Sequence, residues 1–226
     1  MEKEKQILIV LPHPDDEAFG MSGTIASYIE QGTPVTYACL TLGQMGRNLG
    51  NPPFATRESL PEIRKQELQN AMDAIGLTDL RMMGYRDKTL EFEDDHKLTQ
   101  MVTNLIDELQ PSLVISFYPG YSVHPDHEAT ARAVVRAVRK LPFESRPKLH
   151  CVAFAHETVE EIGEATIVYD VSNNWQQKLA CLKAHASQTF ELFQQLEEGQ
   201  ENNPDFFEYW KYERFWPYDW SNDKVK

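Results

Sequence analysis

The chain is predicted to fold as an α/β domain: a Rossmann-like, mostly parallel sheet with helices on both faces. Three observations lead there. Apolar runs of strand length alternate with amphipathic stretches of helix length. The early runs are apolar nearly throughout, as strands buried on both faces are. The breaks between them carry Gly and Pro where helices should start or stop.

Taken in order, "QILIVLP" reads as a buried strand and "GTIASYIEQG" as a helix ending at Gly32. "PVTYACLTL" is a second strand. "LPEIRKQELQNAMDAIG" is a helix with Pro61 in its first turn and Gly76 at its end. "DLRMMGY" is a short strand, "DHKLTQMVTNLIDELQ" a helix stopped by Pro111, and "SLVISFYP" a strand of β-branched and aromatic character. "DHEATARAVVRAVRK" is a helix with Ala and Val on one side and Arg on the other. Such alternation implies right-handed βαβ units. Beyond residue 145 the pattern loosens into two strands, "KLHCVAFA" and "ATIVYDV", and one or two helices. A long loop is expected over "GQMGRNLGNPPFATRES". Residues 1–226 are read as one domain, those after about 190 forming a helical, aromatic-rich C-terminal extension. That aromatic tail is expected to pack against the body or a neighbouring subunit, so a homo-oligomer is an open expectation.

The bulk properties narrow the function. The net charge of −13 over 226 residues argues against nucleic-acid binding, which needs a basic face. No segment approaches the roughly 18 apolar residues of a membrane span. Cys39, Cys151 and Cys181 are far apart and form no C-x-x-C pair. They read as buried free thiols, and the expected location is cytoplasmic.

Ligands of open α/β sheets bind at the carboxyl ends of the strands. Two charged clusters sit at such ends: "PHPDDE", residues 12–17, and "HPDH", residues 124–127. Both contain His-Pro-Asp, and both stand where a helix should begin. Proline pushes the residue before it into an extended conformation and is comfortable in a first helical turn. His13 and Asp16 are three apart across one turn, close enough for one ion, and His127 is a third ligand from the other cluster. Two imidazoles and a carboxylate describe a catalytic divalent-metal site with open positions. A dication would also relieve the repulsion among Asp15, Asp16 and Glu17.

The pair "PHPDDEAFG" and "HPDH" resembles the LmbE-like, or PIG-L, family of metal-dependent N-acetylglucosaminyl deacetylases. "RKQE" at 64–67 and "HASQ" at 185–188 add to the likeness, which weakens after about residue 190. Pro12 stands where the family more often has Ala. The resemblance implies an LmbE-like deacetylase fold and zinc held by His13, Asp16 and His127, with iron(II) as another divalent ion such a set accepts. It implies Asp15 as general base, His124 as a protonated oxyanion donor, and Asp126 as the residue holding His124. Arg64 would meet the substrate's sugar or its anionic aglycone. Arg47, in the Gly-rich loop, and Tyr121, three residues before His124, are further candidates for lining the pocket. Glu17 reads as a helix-start residue or a support behind the ligands and not as a catalyst, and His185 as a pocket, core or surface residue. The substrate class so implied is an N-acetylated amino sugar, above all the N-acetylglucosaminyl malate of the family's bacillithiol-pathway branch.

Three rivals share some of these features. A non-haem iron oxygenase uses the same ligand types but has no need of a free Asp15 beside them. A metal-dependent sugar-binding module without turnover needs neither Asp15 nor His124. A dinucleotide-binding protein needs a G-x-G-x-x-G turn after its first strand, where this chain has "PHPDDE".

Overall fold

The structure is a computed structural model, with the backbone of residues 1–202 and 206–226 described and the side chains of 1–195 and 208–226. In chain order its elements are β1 (Ile7–Leu11), α1 (Asp16–Gly20), α2 (Ser22–Glu30), β2 (Val35–Thr41), α3 (Leu60–Ile75), β3 (Asp79–Tyr85), α4 (Asp95–Leu109), β4 (Leu113–Phe117) and α5 (Pro125–Arg139). There follow β5 (Lys148–Val152), α6 (Thr158–Ile162), β6 (Ile167–Asp170), α7 (Trp175–Ala184), α8 (Ala186–Asn202), α9 (Phe206–Trp210) and β7 (Tyr212–Pro217). The seven strands form one sheet in the order β3-β2-β1-β4-β5-β7-β6. The first five run parallel, and β7 pairs antiparallel with both β5 and β6.

The apolar pattern of β1 explains the layering. Every residue from Ile7 to Leu11 is buried. Leu8 and Val10 pack with residues of α4 and α5, such as Val102 and Val134. Ile7, Ile9 and Leu11 point the other way, toward Ile25 of α2, Leu68 and Met72 of α3 and Leu182 of α7. Alternate side chains of a strand face opposite sides, so a strand covered on both faces must be apolar throughout. The three cysteines are free and buried, as expected. No helix among the described residues is long and apolar enough to cross a membrane.

This order sets the place of the site. The chain winds outward from β1 through β2 to β3, then returns to lay β4 on the other side of β1. The β1 and β4 carboxyl ends therefore border the crevice where strand order reverses. The two His-Pro-Asp clusters follow those two strands.

The C-terminal reading needs correction. The aromatic stretch is not simply a helical extension, because Tyr212–Pro217 form β7 and complete the sheet between β5 and β6. Residues 203–207 of that stretch lie outside those fully described. The alternating pattern of β7, with Glu213 and Phe215 buried, was obscured by Glu213, which is 2 % exposed yet charged. Its carboxylate accepts from the backbone N–H groups of Gly23 and Thr24, at 3.0 and 2.7 Å, and meets Lys178 Nζ at 2.6 Å. It thus satisfies two N–H groups that the first turn of α2 leaves without helical partners, and ties the end of the chain to the first βα unit.

Two stability predictions follow from these contacts. Lys178→Ala leaves the Glu213 charge buried without its partner and should cost about 3–5 kcal/mol in denaturant unfolding. Adding Glu213→Gln, which removes the charge and keeps one of the two acceptor oxygens, should recover part of that loss; no recovery would show that the cation is not what Glu213 requires.

The second concerns His150 on β5, where burial lowers the imidazole pKa from 6.5 to about 4. The unfolded chain then binds a proton that the folded chain refuses, so stability is present above pH 6.5 and lost as pH falls toward 4. At about 1.4 kcal/mol per pKa unit the loss is on the order of 3 kcal/mol. His150→Gln should flatten the stability curve between pH 6.5 and 4 relative to wild type; parallel curves would show that His150 does not carry this acid sensitivity.

Candidate active site

The first cluster turns sharply out of β1. Asp15 has φ 103°, the left-handed region that a residue with a side chain rarely enters. Its backbone N–H donates to Glu17 Oε2 at 3.2 Å. The Asp16 carboxylate folds back and accepts the His13 backbone N–H at 2.8 Å. The second cluster is preceded by Val123, also left-handed at φ 63°. His124 caps α5, its Nδ1 accepting the Asp126 backbone N–H at 3.1 Å, and Pro125 occupies the first helical position. Strain at both turns aims the polar side chains into one crevice.

There the clusters meet. His13 Nδ1 lies 3.2 Å from His127 Nε2, across 114 residues of sequence. Asp16 Oδ1 lies 3.2 Å from His127 Nε2, and Asp16 Oδ2 3.6 Å from His13 Nδ1. The tautomers follow from the other ring nitrogens. His127 Nδ1 faces the Ser122 carbonyl at 3.1 Å and must carry a hydrogen, which leaves a lone pair on Nε2. His13 Nε2 stands between Asp126 Oδ2 at 3.1 Å and Asp87 Oδ1 at 3.2 Å. It must also donate, which leaves a lone pair on Nδ1. Two imidazole lone pairs and a carboxylate thus converge on one point.

Those spacings fit a metal ion. Zinc-ligand bonds of about 2.0–2.2 Å in tetrahedral geometry put ligand atoms about 3.3–3.6 Å apart. The local field is suited to a cation as well. Burial disfavours charge on His13, yet its bonds to Asp126 and Asp87 and the nearby Asp16 raise its pKa to about 10, so this point favours positive charge: a proton on Nδ1, or a bound cation that displaces that proton and takes the lone pair. Burial acts to raise Asp87, but the bond and charge of His13, the Met45 N–H and the nearby Arg64 together outweigh it and hold the carboxyl at about 2. Phe117 stacks on His127, ring centroids 4.1 Å apart, and fixes the plane of that ligand.

The site opens into a cavity of about 720 Å³ whose walls include Asp15, Arg47, Arg64, Lys88, His124, Phe19, Met45 and Phe154. The Asp15 carboxyl is pushed up to about 6 by burial, against the opposing pull of Arg64, whose Nη2 lies 3.0 Å away. The same guanidinium donates to the Gly43 carbonyl at 2.9 Å and to the Pro14 carbonyl. Gly43, at φ 60°, is required here: a Cβ would sit 1.7 Å from Arg64 Nη1.

Four expectations are corrected by this geometry. Arg64 lines the cavity but is 3 % exposed, its guanidinium bonded to Asp15 and two carbonyls, so it lies against that carboxylate and does not extend outward from the wall. Tyr121 turns away from the cavity and donates to Glu161 at 2.8 Å. The Asp126 carboxylate does not hold His124; it accepts from Lys88 N–H at 2.7 Å and Leu90 N–H at 3.1 Å and faces His13. The His124 Nδ1 already accepts the Asp126 N–H, which puts the hydrogen of the ring on Nε2, and burial lowers its pKa, against the expectation of a protonated donor. Glu17 is fully buried, accepting from the Tyr37 hydroxyl at 3.2 Å and His185 Nε2 at 2.6 Å, which places His185 in the core. Arg47 does line the cavity.

Sequence reasoning missed Asp87 and Lys88. Both follow β3, a third strand end on the same edge of the sheet, separated from β1 by β2 and without a His-Pro-Asp signature. Their only signal was position.

Comparison with known proteins identifies the family. Residues 8–138 match the family model PIG-L: GlcNAc-PI de-N-acetylase. The chain is 50% identical over 222 residues to a probable N-acetyl-alpha-D-glucosaminyl L-malate deacetylase 2 of Bacillus anthracis, covering 96% of this chain and 97% of that one. Among solved structures, it resembles the N,N'-diacetylchitobiose deacetylase of Pyrococcus horikoshii (TM-score 0.71, 23% identity, 95% of this chain and 84% of that chain). It also resembles the 4-carboxy-2-hydroxymuconate hydratase of Pseudomonas putida KT2440 (TM-score 0.74, 17% identity, 98% and 100%). The last two likenesses establish the fold alone, since one fold hosts unrelated chemistries. With the family model spanning both His-Pro-Asp clusters and a relative of 50% identity matching nearly end to end, the chain belongs to the PIG-L, or LmbE-like, family of de-N-acetylases.

Proposed function

We propose that this chain is a zinc-dependent deacetylase that hydrolyses the acetamide of an N-acetylglucosaminyl conjugate, with N-acetylglucosaminyl malate as its substrate. One observation carries the reading. The lone pairs of His13 and His127 and the Asp16 carboxylate converge at 3.2–3.6 Å, and a separate carboxylate, Asp15, lines the same cavity. The name of the Bacillus anthracis relative supports the choice of substrate. The buried free thiols accord with a cytoplasmic enzyme.

His13, Asp16 and His127 would hold the ion. When bound, it supplies Lewis-acid chemistry, polarising a carbonyl and lowering the pKa of water toward about 7. Asp15 accepts the proton of the attacking water. A carboxyl with a pKa of about 6 is ionised at neutral pH yet basic enough to do so. His124 donates from Nε2 to the oxygen that gains charge as water adds to the acetamide carbon. The C–N bond then breaks, and Asp15 returns its proton to the leaving amine. Acetate and the free amino sugar are the products. Arg64 holds Asp15 in place, and Asp87 and Asp126 hold His13 in the tautomer that leaves Nδ1 free.

The two adjacent aspartates should fail differently. Asp15→Asn should keep one divalent ion per chain and lose about 10²–10⁴ in kcat. Asp16→Ala and His127→Ala should lose the ion. Metal content and amine release from N-acetylglucosaminyl malate are the measurements. Stoichiometric metal in all three variants would sink the ligand assignment, and a near-wild-type rate in Asp15→Asn would sink the base.

Because Arg64 acts through Asp15, Arg64→Ala should lower kcat by the same factor on N-acetylglucosaminyl malate and on free N-acetylglucosamine. A loss confined to the malate conjugate would return Arg64 to direct contact with the aglycone.

A further inference from the structure

The cavity wall carries three cationic side chains, Arg47, Arg64 and Lys88. Arg64 is committed to Asp15, Pro14 and Gly43. Arg47 and Lys88 differ. Both are exposed, and neither side chain has an ion pair or hydrogen bond among the described residues. In a chain of net charge −13, these two cations without an ion pair stand exposed on a cavity wall whose carboxylates, Asp15, Asp16 and Asp87, are less exposed, so an anionic group entering from solvent meets the cations first.

Their loops are joined to each other and to the site. Asp87 Oδ2 accepts the Met45 backbone N–H at 2.7 Å, and the Asp87 backbone N–H donates to Gln44 Oε1 at 3.0 Å. The loop bearing Arg47 is therefore stitched to the loop bearing Lys88. Lys88 has φ 61°, and its N–H is held by Asp126 Oδ2 at 2.7 Å. Asp87 and Asp126 are the same carboxylates that face His13 Nε2. On the far side, Arg57 Nη1 donates to the Gly46 carbonyl at 2.5 Å. The backbone beneath both cations is thus fixed relative to the reacting centre, while their side chains reach solvent.

Resting on the deacetylase reading above, we infer that Arg47 and Lys88 form the rim that selects an aglycone carrying carboxylates over a neutral one. Guanidinium pairs with carboxylate in bidentate fashion, and an ammonium adds a point charge with three donors. An aglycone with two carboxylates presents one to each loop. Asp87, which fixes both loops, links recognition at the rim to the orientation of His13.

The test compares kcat/KM for N-acetylglucosaminyl malate with that for the neutral methyl glycoside of N-acetylglucosamine, in the metal-loaded enzyme. Wild type should prefer the malate conjugate, and Lys88→Ala and Arg47→Ala should each reduce that preference by about 10- to 100-fold. Lys88→Glu should reduce it further, and Lys88→Arg, which keeps the charge, should retain most of it. Added salt should narrow the preference in wild type more than in the Ala variants. An unchanged ratio in both Ala variants of an active enzyme would overturn the rim. Absence of amine release from either substrate in wild type would instead overturn the deacetylase reading on which the rim rests.

Discussion

The Asp126 carboxylate is the point on which the site depends. It is fully buried, and burying a charge is costly unless hydrogen bonds and a partner compensate it. Here the Lys88 and Leu90 N–H groups and the His13 ring supply that compensation. One side chain at the start of α5 thereby joins the loop after β1 to the loop after β3. Metal-binding imidazoles commonly donate their other N–H to a carboxylate, which fixes tautomer and ring plane. At His13 two carboxylates share that role, so its outward nitrogen is free and the negative field around it is strong. His127 reaches the same condition through a carbonyl and a stacked Phe117.

Around this centre the fold accepts local strain where it aims a functional group. Asp15 and Val123 hold left-handed backbone conformations, each costing on the order of 1–3 kcal/mol. The surroundings fix Asp15 from several directions: Glu17 takes its N–H, and Arg64 takes its carboxylate and the Pro14 carbonyl. Glu17 is itself fixed by Tyr37 from β2 and His185 at the end of α7. The proposed base therefore stands on contacts from elements far apart in the chain, and its rotamer is set by packing as well as by charge.

The C-terminal part of the chain contributes in a different way. Glu213 of β7 satisfies the N-terminal amides of α2 and is neutralised by Lys178 of α7. This locks the last strand against the first βα unit. The arrangement also places α7, and with it His185, against the turn that carries Asp15. A strand distant from the chemistry thus bears on the geometry of the proposed base.

The sequence by itself determined the parallel core and the two clusters. Buried strands must be apolar on both faces, so β1, β2 and β4 announce themselves, and His-Pro-Asp at two strand ends marks paired turns that a single ion can bridge. Local patterns of this kind need no knowledge of the rest of the chain. Only the tertiary structure decided which carboxylate serves which ring. Asp126 lies two residues from His124 yet faces His13, because a helix start directs neighbouring side chains to different sides. Asp87 and Lys88 join the site because β3 ends beside β2, a matter of strand order. Arg64 turns inward because Gly43 leaves it room and Asp15 attracts it. β7 was hidden because Glu213, a charge in a buried position, breaks the apolar pattern, and its partners lie about 35 and 190 residues away. Contacts between residues so separated depend on how the elements pack, and that packing is not written in any one segment.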